Sequence, residues 1–188
     1  MRVRPSRCAA LTAGALVAGL VSSCGTSSTS ASRHELFASL NEISQASDLV
    51  IVGRTDPQDV DSPARDWPDL TVSTAEVLEV LAHGSTDDAN VTTSGSLVRV
   101  WQTGRNDNAD APMLTLEPGG VYLLYLTHMG LEGADDSDYY ITGATAGVYV
   151  LSGGMELSET AVFVRADPTS DDTLPREVTL GPDFTQWA

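Results

Sequence analysis

The chain has no lysine at all; its ten basic residues are all arginine. It has only two cysteines, Cys8 and Cys24, and three histidines, His34, His83 and His128. Aromatic residues make up 6% of the 188 positions. Each shortage excludes something. Two cysteines near the N-terminus leave the remaining chain without a disulfide framework or a thiol nucleophile. The histidines stand far apart, with no metal-ligand spacing between any two. Ten arginines against 26 acids give a net charge of −16, which repels nucleic acid rather than binding it. There is no Gly-x-Ser-x-Gly elbow and no phosphate-binding loop.

What is present begins with an address. Arg2, Arg4 and Arg7 form a basic start without an acid, followed by an apolar run from Ala9 to Val21 broken only by Thr12. That run of 13 residues is shorter than the roughly 20 needed to span a bilayer. Ser22 and Ser23 follow, and the order is that of a secretory signal over residues 1–23. No adjacent arginine pair precedes the apolar run, which favours the general export route over the twin-arginine one. Val21-Ser22-Ser23-Cys24 resembles the bacterial lipobox. The resemblance implies that Cys24 receives a diacylglyceryl group and becomes the first residue of an exported lipoprotein, anchored to the cell membrane on its outer side. Two acyl chains suffice for stable attachment, where one anchors only marginally.

Removal of residues 1–23 takes three arginines and no acid, leaving 165 residues with seven arginines, 26 acids and a net charge of −19. Such a surface keeps a domain soluble and attracts a basic protein or a cationic ligand. Gly25 to Arg33, rich in Ser and Thr, reads as a tether reaching roughly 15–18 Å. Ser32-Arg33-His34-Glu35 fits a capping box. With Leu36, Leu40 and Ile43 at helical spacing, it predicts an amphipathic helix over 33–46.

Strands follow. Leu49–Thr55, rich in β-branched residues, reads as a buried strand, with Gly53 suggesting a bulge or close approach. Residues 56–69, with five aspartates and three prolines, read as a loop whose spacing does not fit a calcium loop. Leu70–Ala82 is a long strand with a bulge expected near Ala75-Glu76, and Leu97–Gln102 is the next. Val121–Thr127 is apolar on both faces and belongs at the centre of the sheet. Residues 130–138 read as an acidic loop. Tyr139–Thr142, Gly147–Leu151, a hairpin at Ser152-Gly153-Gly154 and an edge strand at Thr160–Arg165 complete the series. The tail over 166–188, with Pro168, Pro175 and Pro182, reads as coil pinned by Phe184 and Trp187.

The expected fold is therefore mainly β: a barrel or sandwich of five or six short strands behind one N-terminal amphipathic helix. The run of patterns from Ser47-Asp48-Leu49-Val50-Ile51-Val52-Gly53 through Glu117-Pro118-Gly119-Gly120-Val121 to Gly147-Val148-Tyr149-Val150 resembles an OB-like small barrel of exported bacterial proteins, distantly similar to the netrin and metalloproteinase-inhibitor class. The resemblance covers residues 34–165. Those inhibitors rely on an N-terminal cysteine and several disulfides, which this chain lacks, so inhibition is not implied.

For function, Trp101, Tyr122, Tyr125, Tyr140 and Tyr149 are the candidate lining of a ligand groove, with Tyr139 beside them. Glu76 and Glu79 are the one carboxylate pair suited to glycoside chemistry, but three residues apart on a regular strand they face opposite ways. The reading is a monomeric, membrane-anchored, non-enzymatic binding module that uses no cofactor and no metal. A wall-active hydrolase and a structural envelope component are the alternatives.

Overall fold

Alternation of apolar residues on both faces of one strand demands two cores, and β1 and β5 each border two. The structure, a computed structural model, describes residues 36–56, 62–64, 67–84, 92–103, 116–130, 134–153, 157–158, 160–168 and 171–181, all within the unit Arg33–Ala188. Its elements run α1 (Leu40–Gln45), β1 (Leu49–Thr55), β2 (Ser62–Ala64), β3 (Trp67–His83), β4 (Leu97–Thr103), β5 (Val121–His128), β6 (Asp138–Ile141), β7 (Val148–Leu151), β8 (Val162–Arg165) and β9 (Glu177–Thr179).

Five of these close a barrel in the order β1-β3-β4-β6-β5 and back to β1. All neighbours are antiparallel except β4 and β6, which run parallel. Counting only barrel strands, the order is one-two-three-five-four-one, the OB-like arrangement. The chain continues from β6 into β7 along the same edge of β5: β6 pairs with residues 126–128 and β7 with 122–124. There the sheet parts from the barrel and extends through β8 to β9.

The barrel interior holds Leu49, Ile51, Val77, Val98, Val100, Leu124 and Leu126. The outer face of β1, β5, β7 and β8 holds Val50, Val52, Leu123, Tyr125, Tyr149 and Phe163, covered by Phe37, Leu40, Ile43, Leu174, Val178 and Leu180. Side chains alternate strictly along β1 and β5 between the two cores, which is why both strands read as continuous apolar runs. Among the described residues every buried side-chain nitrogen or oxygen has a hydrogen-bond partner.

Several expectations are corrected. The helix is six residues, not fourteen. A second Ser-x-x-Glu, Ser39 to Glu42, sets its start. Ser39 Oγ accepts from Glu42 N–H at 3.2 Å, and Glu42 Oε2 accepts from Ala38 N–H at 2.6 Å. Residues 36–39 stay non-helical because the backbone of Phe37 is engaged elsewhere: its N–H donates to Asp172 and its carbonyl accepts from Thr173. Residues 33–35 lie outside the described residues.

The bulges of β3 are not at Ala75-Glu76, which pair regularly with Thr55-Arg54 and Val98-Leu97. They fall at Leu78 and Leu81, the two residues skipped in the register with β1. Each bulge lets Val77 and Val80 both serve the barrel core while Leu78 and Leu81 pack on the outer core. Gly53 stands across from the first of them.

The expected loop over 56–69 contributes β2 and the start of β3. Among the described residues β2 pairs with β3 alone, and an edge strand is where a sheet accommodates a proline such as Pro63. The tail is not all coil: β9 forms there and takes the edge, so β8 is an interior strand. Phe184 and Trp187 lie outside the described residues. The hairpin expected at Ser152-Gly153-Gly154 does form, since β7 and β8 pair antiparallel, with a connection that runs from Ser152, whose N–H donates to the Val162 carbonyl, to Ala161.

Candidate functional site

The five proposed groove residues do not share a face. Residues 122 and 125 are three apart on β5 and so point to opposite sides. Tyr122 is inside the barrel, and Tyr125 and Tyr149 are buried in the outer core, their rings 6.3 Å apart and tilted by 58°. Tyr139 also faces the barrel core, edge-on to His128 at 5.5 Å. Burial pushes the hydroxyl of Tyr149 up to about 12; the Arg165 cation opposes this and the Asp172 carboxylate adds to it. Burial raises Tyr125 as well, reinforced by neighbouring Tyr149. Tyr122 is raised by burial too, against the hydrogen bond that Glu117 N–H donates to its hydroxyl at 2.6 Å. These tyrosines are core residues, and two of their hydroxyls have backbone partners: Tyr122 with Glu117, and Tyr149 with the Pro175 carbonyl at 3.1 Å.

Trp101 and Tyr140 do come together. They are register partners across the parallel β4–β6 pair, with side chains on the barrel exterior. Tyr140 is 44% exposed and Trp101 half-buried. Residues alternate along β4, so Leu97, Arg99 and Trp101 share this exterior face while Val98 and Val100 fill the barrel. Leu97 is 62% exposed. Across the β3–β4 ladder their partners are Glu76, Thr74 and Val72.

Trp101 is held, not merely placed. Its indole Nε1–H donates to Asp138 Oδ1 at 3.1 Å, and the Arg99 guanidinium lies 5.5 Å from the ring centroid. Arg99 Nη1 reaches Asp138 at 3.1 Å and Asp135 at 3.4 Å. The Asp138 side chain is only 4% exposed, and its Oδ2 also accepts from Asp135 N–H at 3.0 Å. A nearly buried carboxylate thus organises an aromatic ring on the outside of the barrel, supported by three donors. Arg99, Asp135 and Asp138 were not singled out from sequence. The alternation Leu97-x-Arg99-x-Trp101 is the signal that would have marked the face; by sequence alone, residues 97–102 read only as a strand and Asp138 only as part of an acidic loop.

The two glutamates are repositioned by the fold. The bulge at Leu78 sets Glu76 and Glu79 on the same outer side, opposite Arg54 and Val52, where regular pleating would have separated them. Both are exposed. His83 is exposed at the end of β3, and His128 Nδ1 accepts from Gly130 N–H at 3.1 Å. Among the described residues no three His, Cys, Asp or Glu side chains gather as metal ligands, and no helix is long and apolar enough to cross a membrane. Cys24 and His34 lie outside the described residues.

The face on the second and third barrel strands is where OB-folds bind oligonucleotides and oligosaccharides. Among the described residues, Glu76, Asp135 and Asp138 stand there with Arg99 and, across the ladder from Glu76, Arg54, an acidic excess where a nucleic-acid groove is basic. No family model and no curated protein matches the chain.

Proposed function

We propose that the chain is an exported lipoprotein, attached through Cys24 to the outer side of the cell membrane, whose OB-like domain is a non-enzymatic binding module. The observation that supports this best is Trp101. A ring fixed by a hydrogen bond to Asp138 and by Arg99 lies outside both hydrophobic cores. Holding a partly exposed aromatic in one orientation lowers the entropy lost on association. The acidic charge and the Ser/Thr-rich tether suit a domain held in solution at the end of a lipid anchor. The same reading includes a distant relation to the netrin-like class of OB-like barrels.

The test has two parts. Cys24→Ala is expected to abolish incorporation of a clickable fatty acid and to release the protein from membranes. Persistent labelling rejects the anchor. Capture of envelope material by the purified protein is expected to fall with Trp101→Ala. Turnover of a wall polymer that disappears with Glu76→Gln or Glu79→Gln would replace the binding reading with a hydrolase.

A further inference from the structure

Resting on the binding-module reading, we infer that the β3–β4–β6 face docks a cationic, apolar polypeptide segment through side chains alone.

The composition of the face selects the partner. Leu97 and Tyr140 expose large apolar surface, joined by the fixed ring of Trp101 and the half-buried Val72. Burying such a patch favours apolar contact over an aqueous one. Its rim is acidic. Glu76 pairs with Leu97 across the ladder, and Asp135, with its side chain 76% exposed, stands beyond Arg99. Arg99 offers little attraction to an anion, because Asp135 and Asp138 both hold its guanidinium. Among the described residues, the carboxylates Glu76, Asp135 and Asp138 outnumber two guanidiniums, Arg99 and the Glu76 ladder partner Arg54, on a chain that is itself strongly acidic. A partner with lysine or arginine around an aliphatic or aromatic residue matches both features.

The same geometry disfavours two other modes. A sugar ring stacks on an open aromatic face, and Arg99 already lies over the Trp101 ring. Strand addition needs an open edge, and β4 is hydrogen-bonded on both sides, to β3 and to β6.

A fluorescein-labelled synthetic peptide alternating lysine and leucine, titrated against the full chain in a non-ionic detergent, tests this by anisotropy; detergent alone sets the background. Binding is expected, weakening as salt rises because screening shortens the reach of surface charge. Trp101→Ala and Tyr140→Ala are each expected to weaken it about tenfold. Glu76→Gln with Asp135→Asn, which touches no core residue, is expected to weaken it and flatten the salt dependence. The inference is overturned if a glutamate–leucine peptide binds equally well, if the two aromatic variants bind like wild type, or if the lysine–leucine peptide does not bind. In that last case, a Trp101-dependent interaction with a soluble amino-sugar oligomer would leave the binding-module reading standing. Loss of both, with envelope capture indifferent to Trp101→Ala, would remove that reading too.

Discussion

Phe37 and Asp172, 135 positions apart in the chain, are joined by a 2.9 Å hydrogen bond from the Phe37 N–H to Oδ1 of the buried Asp172. Thr173 completes the clasp: its N–H donates to the Phe37 carbonyl at 3.2 Å and its hydroxyl to that of Ala38 at 3.2 Å. Arg165, itself buried, fixes the far side by donating to the carbonyls of Asp167, Asp172 and Leu174. The segment after β8 therefore fastens the entry of the domain and covers its outer core.

Asp172→Ala removes the acceptor for a buried N–H, at a cost of about 1–3 kcal/mol. The expected outcome is a lower denaturant midpoint and faster amide exchange at Phe37. Because β5 is also bounded by the intact barrel core, exchange at Leu124 should change less than at Phe37. Equal acceleration at both sites would mean that the clasp has no local role.

Alkaline pH should weaken the fold, and Tyr149 gives the window. Burial keeps its hydroxyl protonated up to about pH 12, against the ordinary 10 in an unfolded chain. The folded state therefore holds its proton more tightly. That contribution to stability is complete below pH 10 and is lost as pH rises from 10 through 12. Tyr125 and Tyr122 shift in the same direction and add to the loss. Tyr149→Phe gives up the bond to Pro175, about 1 kcal/mol, yet its stability should fall less steeply over this window. An unchanged slope in denaturation midpoints against pH would show that Tyr149 does not govern it.

The two cores predict a sharp contrast between exposed and enclosed leucines. Leu124 is fully buried in the barrel, and Leu97 stands on its exterior. Leu124→Asp places an unpaired carboxylate where desolvation costs several kcal/mol, against a whole-domain stability of about 5–15 kcal/mol. The circular dichroism of the variant should be that of an unfolded chain. Leu97→Asp should leave both the spectrum and the midpoint within about 0.5 kcal/mol of wild type. Folding by the Leu124 variant would place the barrel core elsewhere.

How much of this was legible follows from where local patterns decide. Val121–Leu126 announced a strand apolar on both faces, and it lies between two cores. The barrel class followed from the series of short strands with polar turns. The aromatic groove failed on a rule visible in the sequence: Tyr122 and Tyr125, or Tyr139 and Tyr140, cannot share a face of a regular strand. Other features are tertiary. The bulges at Leu78 and Leu81 depend on the register with β1, and β9 depends on the pairing of 177–179 with β8, which a proline-rich tail conceals. Asp138 acquires its role only when β6 lies parallel to β4.

Gly147 offers the most local test of the place where barrel and open sheet part. It lies just before β7, and its N-terminal neighbours turn through Gly143 and Ala144, both at positive φ (64° and 57°). The Gly147 carbonyl accepts from Tyr125 N–H at 2.9 Å, so the backbone passes close against β5. A Cβ added at Gly147 would lie 2.6 Å from the Thr142 carbonyl oxygen and 3.0 Å from that of Tyr125. Both obstacles are backbone, and neither can swing aside as a side-chain end would. The Tyr125 carbonyl is also the acceptor for Thr142 N–H at 2.9 Å, while the Thr142 hydroxyl bonds Ser47 at 2.9 Å and Thr127 at 2.7 Å. Displacing this backbone therefore disturbs the join of β6, β7 and the end of α1 at once. Gly147→Ala is expected to destabilise the domain by about 1–3 kcal/mol, the range of an overpacked site. Ala144→Gly, which relieves a positive φ in the same turn, is expected to be neutral or stabilising. Thermal melts of the two variants decide the matter: a Gly147→Ala midpoint at or above wild type would show that β7 does not need this close approach.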